Sequence, residues 1–193
     1  MSLILASNSE IRRAMLAQAG LEFVVESPDF DERPAKERHA GQGESLARML
    51  AEGKALSVRA GTDEWVIGSD SLVEVNGRRY SKPRDREQAA AHLRAFSGQT
   101  MLLSSAVTLV HGRQCDWSHS ETARLDVRRL SESFIQAYLD AEWPAVGYCV
   151  GVFRMEGRGV TLFDRVEGSY FTILGMPLLP LLAALRERRL MPS

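Results

Sequence analysis

The chain has 193 residues, 45% apolar and 25% charged, which suits one substantial core and excludes a disordered polymer. Twenty-four Lys and Arg against 25 Asp and Glu leave a formal charge of -1, too little positive field to hold long nucleic acid. Two cysteines, Cys115 and Cys149, are too few for a disulfide framework and lack zinc-site spacing.

Leu3-Ile4-Leu5-Ala6 is an all-apolar run, the mark of a strand buried on both faces. Ser7-Asn8-Ser9 breaks it and offers caps for a helix over about 10–19, which Gly20 stops. A second strand spans about 22–27. The Pro-flanked acidic stretch from Pro28 to Pro34 suits neither a sheet nor a helix interior, and the polar segment up to Gly43 reads as a mobile loop. A helix over about 44–59 follows, with Leu46, Met49, Leu50 and Leu56 as its apolar stripe.

Trp65 to Gly68 returns to strand character and ends on Ser69-Asp70-Ser71. Leu72 to Val75, Asn76-Gly77 and Arg78 to Tyr80 make the clearest hairpin signal in the chain. Asp85, with Gln88 at capping-box spacing, opens a helix ending near Phe96. Strands are expected over 100–110 and 115–127, a helix over 131–141, and strands over 146–150 and 160–166 around a glycine-rich link. Pro177 to Arg189 closes the chain as a helix. Helices alternate with strands but hairpins also occur, so the expected fold is α/β with a mixed sheet. The first residues carry no basic signal-peptide region. The longest apolar run, Gly175 to Leu185, holds two prolines and falls short of the ~20 residues a bilayer needs. A soluble, reduced, cytoplasmic protein is expected.

Four groups of residues have the chemistry of a site. Ser7, Ser9, Arg12 and Arg13 surround a helix start and suit a phosphate, although a serine cap with two solvated arginines explains the same residues. Asp31-Glu32 is a carboxylate pair that suits a hard cation or simply water. Asp70, at the end of a buried strand, stands where open α/β sheets present ligands, or else bonds its own turn. Lys36, Lys54 and Lys82 are the only lysines, and each is either a phosphate contact or a surface residue. The four histidines show no catalytic pairing and read as surface residues, and Cys149 as a small buried hydrophobe.

In order along the chain, Leu-Ala-Ser-Asn-Ser-Glu-Ile-Arg-Arg (5–13), Asp31-Glu32, Lys54, Ile67 to Ser71, Lys82-Pro83-Arg84-Asp85, Leu93 to Gly98, Glu156-Gly157 and Gly175-Met176-Pro177-Leu178 resemble the Maf family of nucleoside triphosphate pyrophosphatases, also called septum formation proteins. The resemblance covers essentially all of 1–193. It implies a single Maf-like domain with two lobes, an elongated ITPase-like body whose twisted mixed sheet has flanking helices around a central cleft, and a homodimer. Ile11-Arg12-Arg13 and Glu156 are more similar to the 7-methyl-GTP branch than to the dTTP/UTP branch, which is the alternative. The chain departs from the family at Glu10, Ser71 and Ser81, where proline, Thr or Gln, and Gly are usual.

The family reaction cleaves a nucleoside triphosphate between its α and β phosphates, giving monophosphate and pyrophosphate. By resemblance, Asp70 accepts the proton of the attacking water, and Glu32 and Asp70 hold Mg or Mn. Ser7, Ser9, Arg12, Arg13, Lys54, Lys82 and Glu156 bind substrate, with Glu156 toward either base or metal. No membrane and no long nucleic acid enter this expectation. A nucleotide-binding regulator of cell division is the reading of a different class; the retained carboxylates favour an enzyme, because a binder needs cations more than a water-activating base.

Overall fold

A computed structural model describes residues 2–39 and 41–192; Met1, Ala40 and Ser193 lie outside the described residues. β1 (Leu3–Ala6) is buried along its whole length. It pairs in parallel with β2 (Val24–Glu26) on one side and with β3 (Trp65–Val75) on the other. Parallel neighbours need crossovers. These are α1 (Glu10–Gln18) between β1 and β2, and α2 (Arg33–Arg38) with α3 (Gly43–Ser57) between β2 and β3. Asn76 and Gly77, both at positive φ, turn β3 antiparallel onto β4 (Arg78–Tyr80). After α4 (Arg86–Phe96) come β5 (Thr100–His111), β6 (Gln114–Val127), α5 (Glu132–Glu142) and β7 (Phe163–Glu167). The last helices are α6 (Tyr170–Ile173) and α7 (Leu178–Glu187). Among the described residues, seven strands form one mixed sheet in the order β2-β1-β3-β5-β6-β7, with β4 on β3.

The described chain divides into two compact units, and β3, β5 and β6 run from one into the other. The first comprises Met1–Ser71, Ser104–Glu121 and Ser169–Ser193. Alternation along β1 fills both of its faces. Leu3 and Leu5 pack with Leu16, Ile67, Leu109, Leu181 and Leu185, while Ile4 and Ala6 pack with Ala55, Val66 and Val110. The second unit comprises Leu72–Leu103 and Thr122–Gly168. There α4 and α5 bury Leu93, Phe96, Ile135 and Leu139. A two-point Arg94–Glu132 pair at 2.9 and 2.6 Å spans those helices at the surface. No helix among the described residues is long and apolar enough to cross a membrane.

Several local expectations need correcting. The segment expected as a mobile loop contains α2; Pro34 lies in its first turn, where a missing N–H breaks no bond. On α3, Met49 and Leu56 are exposed, and the buried face is Leu46, Ala47, Leu50, Ala51 and Ala55. Residues 145–148 form a 3₁₀ turn instead of a strand, and the strand expected over 160–166 begins only at Phe163, after a 3₁₀ turn over 158–162. At Gly159 a Cβ would lie 2.4 Å from the Arg154 carbonyl oxygen, a fold-back too tight for an extended run. His92 is half-buried against Tyr80 and Phe96. Cys149 is likewise half-buried.

Candidate active site

The site begins with a close approach of backbones in the first unit. A Cβ on Gly68 would sit 2.0 Å from the Ala51 carbonyl oxygen and 2.9 Å from the Ala55 Cβ. Only glycine on β3, set against the alanine face of α3, lets strand and helix come this near. Asp70 is two residues on and so projects from the same face of β3 as Gly68. Lys54, the residue before Ala55, donates to Asp70 Oδ1. The strand continues five residues beyond Asp70, to Val75. Asp70 therefore lies inside a strand, not at its end as the sequence suggests. It is 6% exposed, and its Oδ2 is buried with no hydrogen-bond partner among the described residues.

Glu32 arrives from the acidic stretch before α2. A Cβ on Gly53 would fall 2.4 Å from the ring of Phe30, so the bare backbone of α3 is the seat of that ring. With Phe30 seated, Glu32 Oε1 lies 2.7 Å from Lys54 Nζ and Oε2 lies 2.5 Å from Lys36 Nζ. Burial alone would raise the Glu32 pKa, but hydrogen bonds from Lys36 and Lys54 outweigh it and hold the pKa at about 2. Two carboxylates thus share one ammonium, whose third N–H remains for another acceptor.

Arg12 is half-buried beside this group. Its Nε donates to the Gly175 carbonyl at 3.0 Å, and its terminal nitrogens donate to the Ser69 carbonyl (2.9 Å), the Ser71 hydroxyl (3.0 Å) and the Ser7 hydroxyl (3.4 Å). Burial lowers its pKa, opposed by the charges of Asp70 and Glu32. Arg12 therefore braces the residues on both sides of Asp70. The Ser71 hydroxyl also meets Ser105 at 2.9 Å, and Gly175 holds the bend at φ 109°. Ser7 receives the Ser9 amide, and Ser9 caps α1 by receiving the Arg12 amide. Ser9 thus performs the capping role that the sequence offers as the plainer explanation, and Ser7 bonds the turn that leads into it. Glu10 occupies the first turn and Arg13 is exposed.

Lys82 and Glu156 belong to the second unit. Both are exposed, and Glu156 pairs with Arg154 at 3.4 Å. Burial raises the Cys149 thiol, Glu156 adds to that, and Lys82 and Arg154 oppose it, so these groups share one neighbourhood. The first unit thus gathers Ser7, Ser9, Arg12, Glu32, Lys54 and Asp70. Sequence reasoning includes Gly68 in the Asp70 motif but misses its packing against α3, and misses Gly53 and the Lys36 contact. The glycines give no local signal inside a helix and a strand, whereas the i,i+4 spacing of Glu32 and Lys36 is readable once α2 is known.

The environment of Arg12 sets an expected result. Arg12→Ala should lower stability by about 3 kcal/mol, the upper range for a charge-assisted bond, because the buried Ser69 and Gly175 carbonyls each lose a charged donor. Chemical denaturation reads the loss. An unchanged midpoint, with only a weaker grip on triphosphate, would show that Arg12 holds substrate and not the fold.

A 7-methyl-GTP pyrophosphatase of Rhizobium meliloti (strain 1021) is 46% identical over 189 residues, covering 96% of this chain and 95% of its own. A nucleoside triphosphate pyrophosphatase of Nitrobacter hamburgensis (strain DSM 10229 / NCIMB 13809 / X14) is 47% identical over 194 residues, covering 98% and 95%. Among solved structures, the Staphylococcus aureus Ham1 protein matches with 18% identity and a TM-score of 0.43, over 66% of this chain and 72% of that one. The family model described as Maf-like protein spans residues 2–188. The chain belongs to the Maf family.

Proposed function

We propose that the protein hydrolyses a nucleoside triphosphate between the α and β phosphates, releasing pyrophosphate, and that it prefers 7-methyl-GTP. The observation that carries the reading is the state of Asp70: Oδ1 is tied to Lys54, while Oδ2 is buried and without a partner among the described residues. A carboxylate oxygen in that condition costs stability, and a role in the presence of substrate explains why the cost is kept. Its role is to take the proton of the attacking water. Lys54 orients Asp70 through their ion pair, and presents its remaining N–H to a phosphate oxygen. By the family resemblance, Arg13 and Lys82 also bind the polyanion. Ser7, Ser9 and Arg12 contribute by shaping the turn and strand, and Glu156 acts on the base.

Glu32 and Asp70 fit Mg or Mn. Mg takes one or two carboxylates and completes its shell with water and phosphate oxygens. Two hard carboxylates around one ammonium, one of them with an unpartnered oxygen, match that need. Such an ion would supply charge neutralisation and polarisation of the phosphoryl oxygens. The homodimer expected from the family belongs to this proposal too.

The test is a panel of nucleoside triphosphates with Mg or Mn, with pyrophosphate and phosphate assayed separately. Pyrophosphate should be the main product; orthophosphate alone, or no turnover across the panel, would overturn the reading. Base choice rests on the name of the Rhizobium meliloti relative and on Glu156, since 7-methylguanine is cationic and a carboxylate attracts it. The ratio of kcat/KM values should favour 7-methyl-GTP over dTTP. The opposite ratio would leave the reaction standing and reassign the base.

A further inference from the structure

We propose that Lys36 is a displaceable counterion of the site, covering Glu32 Oε2 in the metal-free protein, yielding that oxygen to a divalent cation, and then contacting a phosphate of the nucleotide. The nucleotide part rests on the pyrophosphatase reading; the metal part does not.

Both oxygens of Glu32 carry an ammonium, Lys54 on Oε1 at 2.7 Å and Lys36 on Oε2 at 2.5 Å. A cation ligated by Glu32 must therefore compete with at least one of them. The two lysines are unequally held. Lys54 stands on the fifteen-residue α3, has a side chain 13% exposed, and is shared with Asp70. Lys36 stands on the six-residue α2, which buries none of its residues, and its side chain is 36% exposed. Its ion-pair partner is Glu32 alone among the described residues. The flexible four-carbon stem lets the ammonium swing away without moving the helix. A displaced ammonium beside a metal-bound triphosphate finds phosphate oxygens within the sweep of its own stem, so charge lost at Glu32 is regained on substrate. The plainer account is an i,i+4 helix pair with no part in binding. That account predicts no effect on either metal or nucleotide, which separates the two.

Mn²⁺ alone is titrated calorimetrically into nucleotide-free wild type, Lys36→Met and Arg38→Met. Arg38 shares α2 but donates to the Pro34 carbonyl instead of Glu32. Lys36→Met should bind Mn²⁺ roughly three- to tenfold more tightly, the scale expected when one competing charge is removed at a partly exposed site. Arg38→Met should stay within about twofold of wild type, as expected for a screened surface charge. Equal tightening in both variants, or none in Lys36→Met, would overturn the displacement. In steady-state assays Lys36→Met should raise KM for the triphosphate roughly tenfold while kcat stays within about twofold, the pattern of a lost binding contact. An unchanged KM would overturn the phosphate contact. If wild type releases no pyrophosphate, the function reading fails, while the Mn²⁺ comparison still decides the displacement.

Discussion

Asp70→Asn should fold, retain most of its nucleotide affinity and lose turnover by about 100-fold or more, the scale of removing a general base. The substitution is nearly isosteric, and one side-chain position still accepts from Lys54. What disappears is the proton affinity of the buried, unpartnered Oδ2 and one negative charge next to Glu32. Lys54 then has a single carboxylate to neutralise, so nucleotide binding should survive, because the positive charge facing a polyanion rises. The decisive measurements are kcat by pyrophosphate release, with melting temperature and nucleotide affinity on the same preparation. Near-wild-type kcat in a folded Asp70→Asn protein would mean that another group takes the proton.

A single methyl group on Gly68 should have a comparable effect by a different route. In Gly68→Ala the new Cβ would lie 2.0 Å from a backbone oxygen of α3, and a backbone atom cannot swing aside as a side-chain end can. β3 is also locked to β1, with Gly68 opposite Ala6, so helix and strand must part while the sheet holds. Overpacking of this kind costs about 1–3 kcal/mol, and a backbone clash belongs at the top of that range. For a chain of this size about 3 kcal/mol lowers Tm by roughly 6–12 °C. Any retreat of α3 also lengthens the contact of Lys54 with Asp70 and with Glu32. Turnover should therefore fall even at temperatures where the variant is fully folded. Unchanged Tm and kcat would show that α3 and β3 have more room than this packing allows. Gly53→Ala tests the same idea more mildly, since the obstacle there is the ring of Phe30 and not backbone.

Features set by chemistry within a few residues were legible in the chain. β1 is apolar because both of its faces are buried, and four residues reveal that without any partner. Asn76-Gly77 accept positive φ, so they announce the hairpin wherever the strands go. Ser9, Asp85 and Ser131 cap their helices with their own side chains. The mixed sheet followed from alternating elements interrupted by that hairpin. The identities of Asp70, Glu32 and Lys54 were readable through the family resemblance, because the inventory of charge is a property of the sequence.

What folding alone decided is who meets whom. Residue types fix which groups are able to pair, but partners 16, 57 or 163 residues apart are brought together by packing. Arg12 looks like a phosphate ligand in one dimension; in three, four of its five donors meet Ser69, Ser71, Ser7 and Gly175. α2 was hidden because a six-residue helix with no buried face has no apolar period to display. Gly53 and Gly68 were silent because a missing side chain reports only absence, and the purpose of that absence is the atom that approaches it. Asp70 was placed at a strand end because polar residues interrupt apolar runs. Lys54, Arg12 and the serines satisfy that polarity inside the sheet apart from Asp70 Oδ2, so the strand continues through it to Val75.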